Sequence, residues 1–287
     1  MTNLTLQKWQ QGGQRFDWKG HSIFWQQAGK GPALLMIHGF PTASWDFHHQ
    51  WLPLAERYNV ITFDMLGFGY SDKPKAHNYS MVEQADIACA LLKSLGIQEY
   101  HMLAHDYGDS VGQELLARSN LKESGAPSVC SACFLNGGMF PALHHPTFRQ
   151  KILHSPLGGL MAKLMSKKGF ASSFGEVFGP NTKPSSQEID EFWQLISLQN
   201  GQRALASLIN YIDERREQEQ RWVNALIHST VPMVLINGPE DPVSGAHAAD
   251  YFEQQVPQAK VIRLSGIGHY PQIEAPEAVT NAALSFF

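Results

Sequence analysis

The chain has 287 residues, 43% hydrophobic and 17% charged, with a formal net charge of −4. That is enough apolar material for a substantial core and the wrong charge for a nucleic-acid footprint. No run of roughly 18 apolar residues occurs, so no membrane insertion is expected, and the polar stretch 1–11 lacks the apolar centre of a signal peptide. Three cysteines argue against a disulfide framework and fit a reducing, cytoplasmic compartment.

In chain order, Gln14–Trp18 and His21–Gln26 flank Lys19-Gly20 and read as an antiparallel hairpin at a sheet edge. Strand-like apolar runs follow at Ala33–Ile37, Val60–Phe63, His101–His105, Val129–Leu135, Met233–Ile236 and Val261–Leu264. Amphipathic stretches such as Met81–Leu95 and Ser110–Arg118 lie between several of them. This alternation predicts an α/β fold with a mostly parallel central sheet flanked by helices. It stops near Phe140. From Pro141 to His228 the apolar positions, among them Leu195, Ile196, Leu205, Leu208, Ile209 and Ile212, follow helical spacing. The expected organisation is therefore a core of 1–140 and 229–287, with a helical lid of 141–228 inserted after the sixth strand. Within the lid, Asp213-Glu214-Arg215-Arg216-Glu217 reads as a solvated helix face. Cys130 and Cys133, inside one apolar run, read as core packing rather than as half of a metal site.

The segment His101-Met-Leu-Ala104-His105-Asp106-Tyr107-Gly108 carries the chemistry. A strand-like run ends in a small residue, and a carboxylate and a glycine follow at the spacing of a sharp strand-to-helix elbow. A serine there would point to ester or amide cleavage. An aspartate attacks carbon and forms an ester with the enzyme, which points to epoxide or carbon–halogen substrates. Gly108-Asp109-Ser110-Val111-Gly112 offers an overlapping G-x-S-x-G frame. Ser110, however, falls four residues after Asp106, which directly follows the only available strand, and so about one turn into the helix. Asp106 could instead be a simple helix N-cap, a reading that the remaining residues weaken.

His38-Gly39-Phe40-Pro41 closes one strand, and its loop N–H, with that of the residue after the nucleophile, suggests an oxyanion hole of Phe40 and Tyr107. The glycine-rich loop Asp64–Asp72 reads as structural support. Asp241 ends another strand at the edge where open α/β sheets bind ligands. His269, between Gly268 and Tyr270-Pro271, follows the last strand. The order Asp106, Asp241, His269 matches nucleophile, orienting acid and general base. Imidazole suits the base role because its ordinary pKa lies near neutrality. His105 reads as a structural flank.

On these motifs the chain resembles the α/β-hydrolase superfamily over nearly its full length, closest to the epoxide hydrolase and haloalkane dehalogenase branch with its Asp nucleophile. Within that branch, His105-Asp-Tyr-Gly-Asp109, Leu135-Asn-Gly-Gly138, Val177-Phe-Gly-Pro180, Arg221-Trp222 and His269-Tyr-Pro-Gln272 are similar to the mesoderm-specific transcript family and its bacterial relatives. The resemblance implies Asp106 as nucleophile, Asp241 as acid and His269 as base, with no metal or organic cofactor. His38-Gly-Phe-Pro41 resembles the epoxide hydrolase form of the oxyanion loop. Dehalogenases commonly carry Trp after the nucleophile, where this chain has Tyr107. Epoxide hydrolases use two lid tyrosines; Tyr211 lies near one matching place, and no other tyrosine falls between 141 and 210. Tyr211, Trp193 and His38 are the candidate substrate-binding residues. The expected partner is a small or medium apolar substrate, most readily an epoxide, then a haloalkane or an ester. A catalytically silent scaffold that binds a small ligand is the alternative of another class. A monomer or homodimer is expected.

Overall fold

The computed structural model describes residues 4–143 and 145–287. Among these residues eight strands form one sheet: β1 (Gln14–Trp18), β2 (His21–Ala28), β3 (Ala33–Ile37), β4 (Asn59–Phe63), β5 (Glu99–Ala104), β6 (Ser128–Phe134), β7 (Met233–Asn237) and β8 (Lys260–Arg263). Their spatial order is β1-β2-β4-β3-β5-β6-β7-β8. β1 pairs antiparallel with β2 and β2 with β4, and every later pairing is parallel. The hairpin turns at Lys19 and Gly20, both with positive φ, as a two-residue connection requires. β3 and β7 are buried at every position, which is why their sequences are unbroken apolar runs rather than alternating ones.

Before β7 the helices are α1 (Leu6–Gly12), α2 (His48–Ala55), α3 (Met81–Ser94), α4 (Tyr107–Asn120), α5 (Phe148–Leu153), α6 (Gly158–Leu164), α7 (Lys167–Val177), α8 (Ser186–Ser197), α9 (Leu205–Leu208), α10 (Tyr211–Glu217) and α11 (Glu219–Ile227). After it come α12 (Ala246–Gln255), α13 (Pro271–Glu274) and α14 (Pro276–Phe286). The stretch between β6 and β7 is helical, as its spacing implied. Its last helix, α11, lies against α4. There the buried Glu114 accepts from Arg118 Nε at 2.8 Å, Arg221 Nε at 2.7 Å and Trp222 Nε1 at 2.8 Å. No helix among the described residues is long and apolar enough to cross a membrane.

Two readings of the sequence need correction. Arg215 is buried, not solvated, and Glu214 accepts from the N–H groups of Met81 at 2.7 Å and Val82 at 3.2 Å. The charged run thus caps the N-terminus of α3 through Glu214 and reaches Ser110 and the Asp106 carbonyl at the start of α4 through Arg215. Cys130 is exposed while Cys133 is buried, because residues three apart on a strand point to opposite faces. The loop after β4 does act as support: Asp64 accepts from the Ser44 N–H at 2.8 Å and the Tyr70 N–H at 2.6 Å.

Candidate active site

The strand register gathers the site at one sheet edge. Ile37 of β3 lies beside Ala104 of β5, and Ala104 beside Phe134 of β6. The loops that follow these strands therefore leave the sheet together, where open α/β sheets bind ligands. Asp106 bridges β5 and α4 with φ 50° and ψ −106°, a conformation a non-glycine residue holds only where its surroundings over-determine it. They do so here. The Asp106 N–H donates to Asn136 O at 3.0 Å, and the Asp106 carbonyl accepts from the Asp109 N–H at 3.1 Å and from Arg215 Nη2 at 3.0 Å. Gly108 permits the close approach: a Cβ there would sit 2.3 Å from Ile37 O. Asp106 occupies the N-cap position of α4, yet its carboxylate takes no capping bond from that helix.

The carboxylate points elsewhere. Oδ2 accepts from the Phe40 N–H at 3.1 Å and lies 3.9 Å from His269 Nε2. His269 Nδ1 donates to Asp241 Oδ2 at 2.7 Å. Asp241 is itself fixed by the N–H groups of Val243 at 2.7 Å and Ser244 at 3.1 Å, the Ser244 hydroxyl at 2.7 Å and Asn136 Nδ2 at 3.0 Å. The imidazole loop is anchored by Glu274, which accepts from the N–H groups of Gly268, Gly179 and Tyr270 at 2.9, 2.8 and 3.0 Å. The His269 N–H donates to Val177 O at 2.9 Å, and His105 Nε2 donates to His269 O at 2.8 Å. His105 is thus the structural flank the sequence suggested.

The electrostatics follow from this packing. Burial alone would raise the Asp106 carboxyl, but the facing His269, then Arg215 and His105, outweigh it and hold it well below the usual carboxylate range. Burial alone would lower His269, but the Asp241 and Asp106 carboxylates outweigh it and lift the imidazole well above its ordinary value. Both shifts favour a carboxylate at Asp106 facing an imidazolium at His269, with a second carboxylate behind the ring.

The other candidates fall in different places. Tyr107 is the first residue of α4, where the helix itself makes no use of its N–H. Tyr211 is buried, its ring centroid 5.6 Å from that of Phe40 and 5.4 Å from that of Tyr107, and its hydroxyl accepts from Gln150 Nε2 at 3.0 Å. His38 is not a ligand-facing residue. It is fully buried, with Nδ1 donating to Gly39 O at 2.8 Å and Nε2 accepting from the Met65 N–H at 3.0 Å, so both ring nitrogens are used in holding the loop. Trp193 likewise stays outside the cavity and packs behind Phe170, 6.0 Å between centroids. Ser110 is fully buried one turn below the elbow and accepts from Arg215 Nε at 2.8 Å.

Arg215 and Asp109 are the residues that sequence reasoning missed. Arg215 reaches from α10 to the back of the elbow, Nη2 lying 3.7 Å from Asp106 Oδ1. Its signal was available: Leu208, Tyr211, Ile212 and Arg215 fall on one helical face, and Arg215 is charged on an otherwise apolar stripe. Asp109 lies under the elbow, fully buried, with the Leu135 N–H the backbone donor facing its carboxyl.

Above the carboxylate is a cavity of about 290 Å³, lined by Phe40, Asp106, Leu153, Phe174, His269 and Tyr270 among others. Its walls are mainly apolar, with the ionic pair at one end, as expected of a site for a small apolar ligand.

Comparison with known proteins agrees with the fold. A family model described as alpha/beta hydrolase fold matches residues 32–162. The human mesoderm-specific transcript homolog protein is 40% identical over 98% of this chain and 87% of its own length. A putative hydrolase, LipZ, of Mycobacterium tuberculosis is 37% identical over 99% of both chains. The solved structure of the epoxide hydrolase CorEH superposes with a TM-score of 0.80, covering 96% of this chain and 98% of that one at 19% identity. With the parallel sheet, the strand-to-helix elbow and these relatives together, the chain belongs to the α/β-hydrolase superfamily and is a hydrolase of that fold.

Proposed function

We propose that the protein hydrolyses a small or medium apolar electrophile, an epoxide ahead of a haloalkane, through a covalent ester on Asp106. One observation carries this reading: the side chain presented at the elbow, to the cavity and to His269, is a carboxylate that does not cap its own helix.

In the first step an Asp106 oxygen attacks a ring carbon of the epoxide and the carbon–oxygen bond breaks. The opened oxygen takes the proton of the His269 imidazolium, giving a hydroxyalkyl ester and a neutral imidazole. Esterification also removes one of the two negative charges that favour the protonated ring, so His269 is left as a base. In the second step Nε2 takes a proton from water, whose oxygen attacks the Asp106 carbonyl carbon. The N–H groups of Phe40 and Tyr107 stabilise the resulting oxyanion. Collapse releases the diol and restores the ion pair. Asp241 holds the imidazole in orientation and stabilises its charge. Arg215, bonded to the Asp106 backbone, positions the elbow. In this reading the helices from α5 to α10 act as the lid that keeps bulk water away.

Ester cleavage through Ser110 is disfavoured, since that hydroxyl is sealed beneath the elbow by Arg215. Wild-type protein exposed in turn to aryl epoxides, haloalkanes and aryl esters, and quenched in acid within a single turnover, tests the proposal by intact-protein and peptide mass spectrometry. An adduct on the peptide containing Asp106 is expected with the epoxides. Adducts confined to Ser110, or turnover by an Asp106→Asn protein at the wild-type rate, would reject it.

A further inference from the structure

α6 is packed inside out. Its buried residues are the small ones, Gly158 and Ala162. Its large apolar residues face solvent: Leu157 at the N-cap is 63% exposed, Leu160 56%, Met161 44% and Leu164 68%. Their spacing of three, four and seven places them in a single stripe along the helix. Phe148, the first residue of α5, is 76% exposed beside them in sequence. Among the described residues, five of the eight exposed large hydrophobic ones thus fall between 148 and 164, and such a concentration on a folded surface marks an interaction site.

Along the sequence the charge of this stretch is equally one-sided, with Asp190 and Asp213 meeting it from other helices at Lys167 and His154. No Asp or Glu lies between Glu123 and Glu176, although the whole chain carries a net charge of −4. Arg149, Lys151, Lys163, Lys167 and Lys168 all fall in that stretch. Lys151, Lys163 and Lys168 are exposed, and Lys167 pairs with Asp190. Met161 and Leu164 also line the cavity, so the stripe continues from the surface into the site that holds Asp106.

We propose that α5 and α6 form a docking face for an anionic lipid bilayer, which sets the cavity mouth against the membrane surface. Apolar side chains flanked by lysines are what an interfacial helix presents: the stripe enters the acyl boundary and the cations meet the headgroups. A second copy of the chain is a poorer occupant, because pairing this face with itself would set lysines against lysines. The docking face stands on these helices alone. Only its consequence, delivery of a lipid-like electrophile to Asp106, rests on the proposed function.

The test is flotation of the full chain with vesicles of phosphatidylcholine alone and of phosphatidylcholine mixed with phosphatidylglycerol. Binding to the mixed vesicles only, weakening as salt rises, is expected. Leu157→Asp with Leu160→Asp, both outside the cavity, should weaken binding at least about tenfold with an unchanged melting temperature. Lys151→Glu and Lys163→Glu should each weaken it about fivefold or more. Asp106→Asn should bind as wild type, so failure of the catalytic reading leaves this result in place. No binding to the mixed vesicles, or equal binding by the double leucine variant, would overturn the docking face. A sedimenting dimer dispersed by Leu160→Asp would assign the stripe to a second copy and overturn it as well.

Discussion

Asp109 makes a prediction with a definite sign. It lies in the first turn of α4, and a Cβ on Gly137 would come within 2.2 Å of its Oδ2. Burial first, and the charge of Asp106 second, push its carboxyl well above the ordinary value of 3.8. We expect it to be protonated in the folded protein at neutral pH, whereas the unfolded chain ionises it. Keeping a carboxyl of that ordinary value protonated at pH 7 costs about 4 kcal/mol, at 1.36 kcal/mol per pH unit. The folded state holds a proton that the unfolded state has released, so this residue makes the wild type less stable as pH rises above that ordinary value. The loss continues until the folded carboxyl itself ionises. Asp109→Asn removes the titration but adds amide donors in a place with no partner, which costs about 1–3 kcal/mol. The net gain at pH 7 is about 2 kcal/mol, or roughly 3 °C in melting temperature for a chain of this size. Thermal unfolding of both proteins between about pH 5 and 8 measures it, and the advantage of the variant should shrink as the pH falls. A variant less stable than wild type at pH 7, or one whose difference from wild type ignores pH, would show that Asp109 is not a buried neutral acid.

Other consequences are direct. Ser110→Ala should keep activity within about tenfold of wild type while losing about 1–3 kcal/mol of stability, because Arg215 Nε is left without its acceptor; chemical denaturation beside steady-state rates separates the two, and abolished turnover in a folded protein contradicts the assignment. Asp241→Asn should lower the proton affinity of His269 by removing the carboxylate 2.7 Å from Nδ1. Its turnover should fall by about 10²–10⁴-fold, and carbon-13 NMR titration of the labelled imidazole should move to lower pH. An unmoved titration would mean the two groups are not coupled.

The parts of the site set by local spacing were legible in the sequence. The elbow could be read because strand, small residue, carboxylate and glycine occur within eight consecutive positions, and because Gly108 marks a backbone approach that no other residue allows. Asp241 and His269 were legible because each follows an apolar run that ends at the same sheet edge. What failed depended on which way a side chain turns. His38 shares the motif of the oxyanion loop, but its ring folds inward onto Met65 and Gly39. Trp193 has the chemistry of a pocket wall, but the turn of α8 places it behind Phe170. Arg215 looked solvated because its neighbours in sequence are charged, whereas its neighbours in space are Ser110, 105 residues away, and Asp106. Asn136 and Glu274 carry no motif. Their roles exist only once loops distant in sequence have met.

The central claim is that the Asp106 carboxylate becomes an ester whose carbonyl carbon is attacked by water. A single turnover of an accepted epoxide in oxygen-18 water, followed by proteolysis and mass spectrometry, tests it most directly. The account predicts oxygen-18 in the carboxylate of the Asp106 peptide, with the first diol carrying oxygen from the protein. Label found only in the diol, with the Asp106 peptide unchanged, would contradict it.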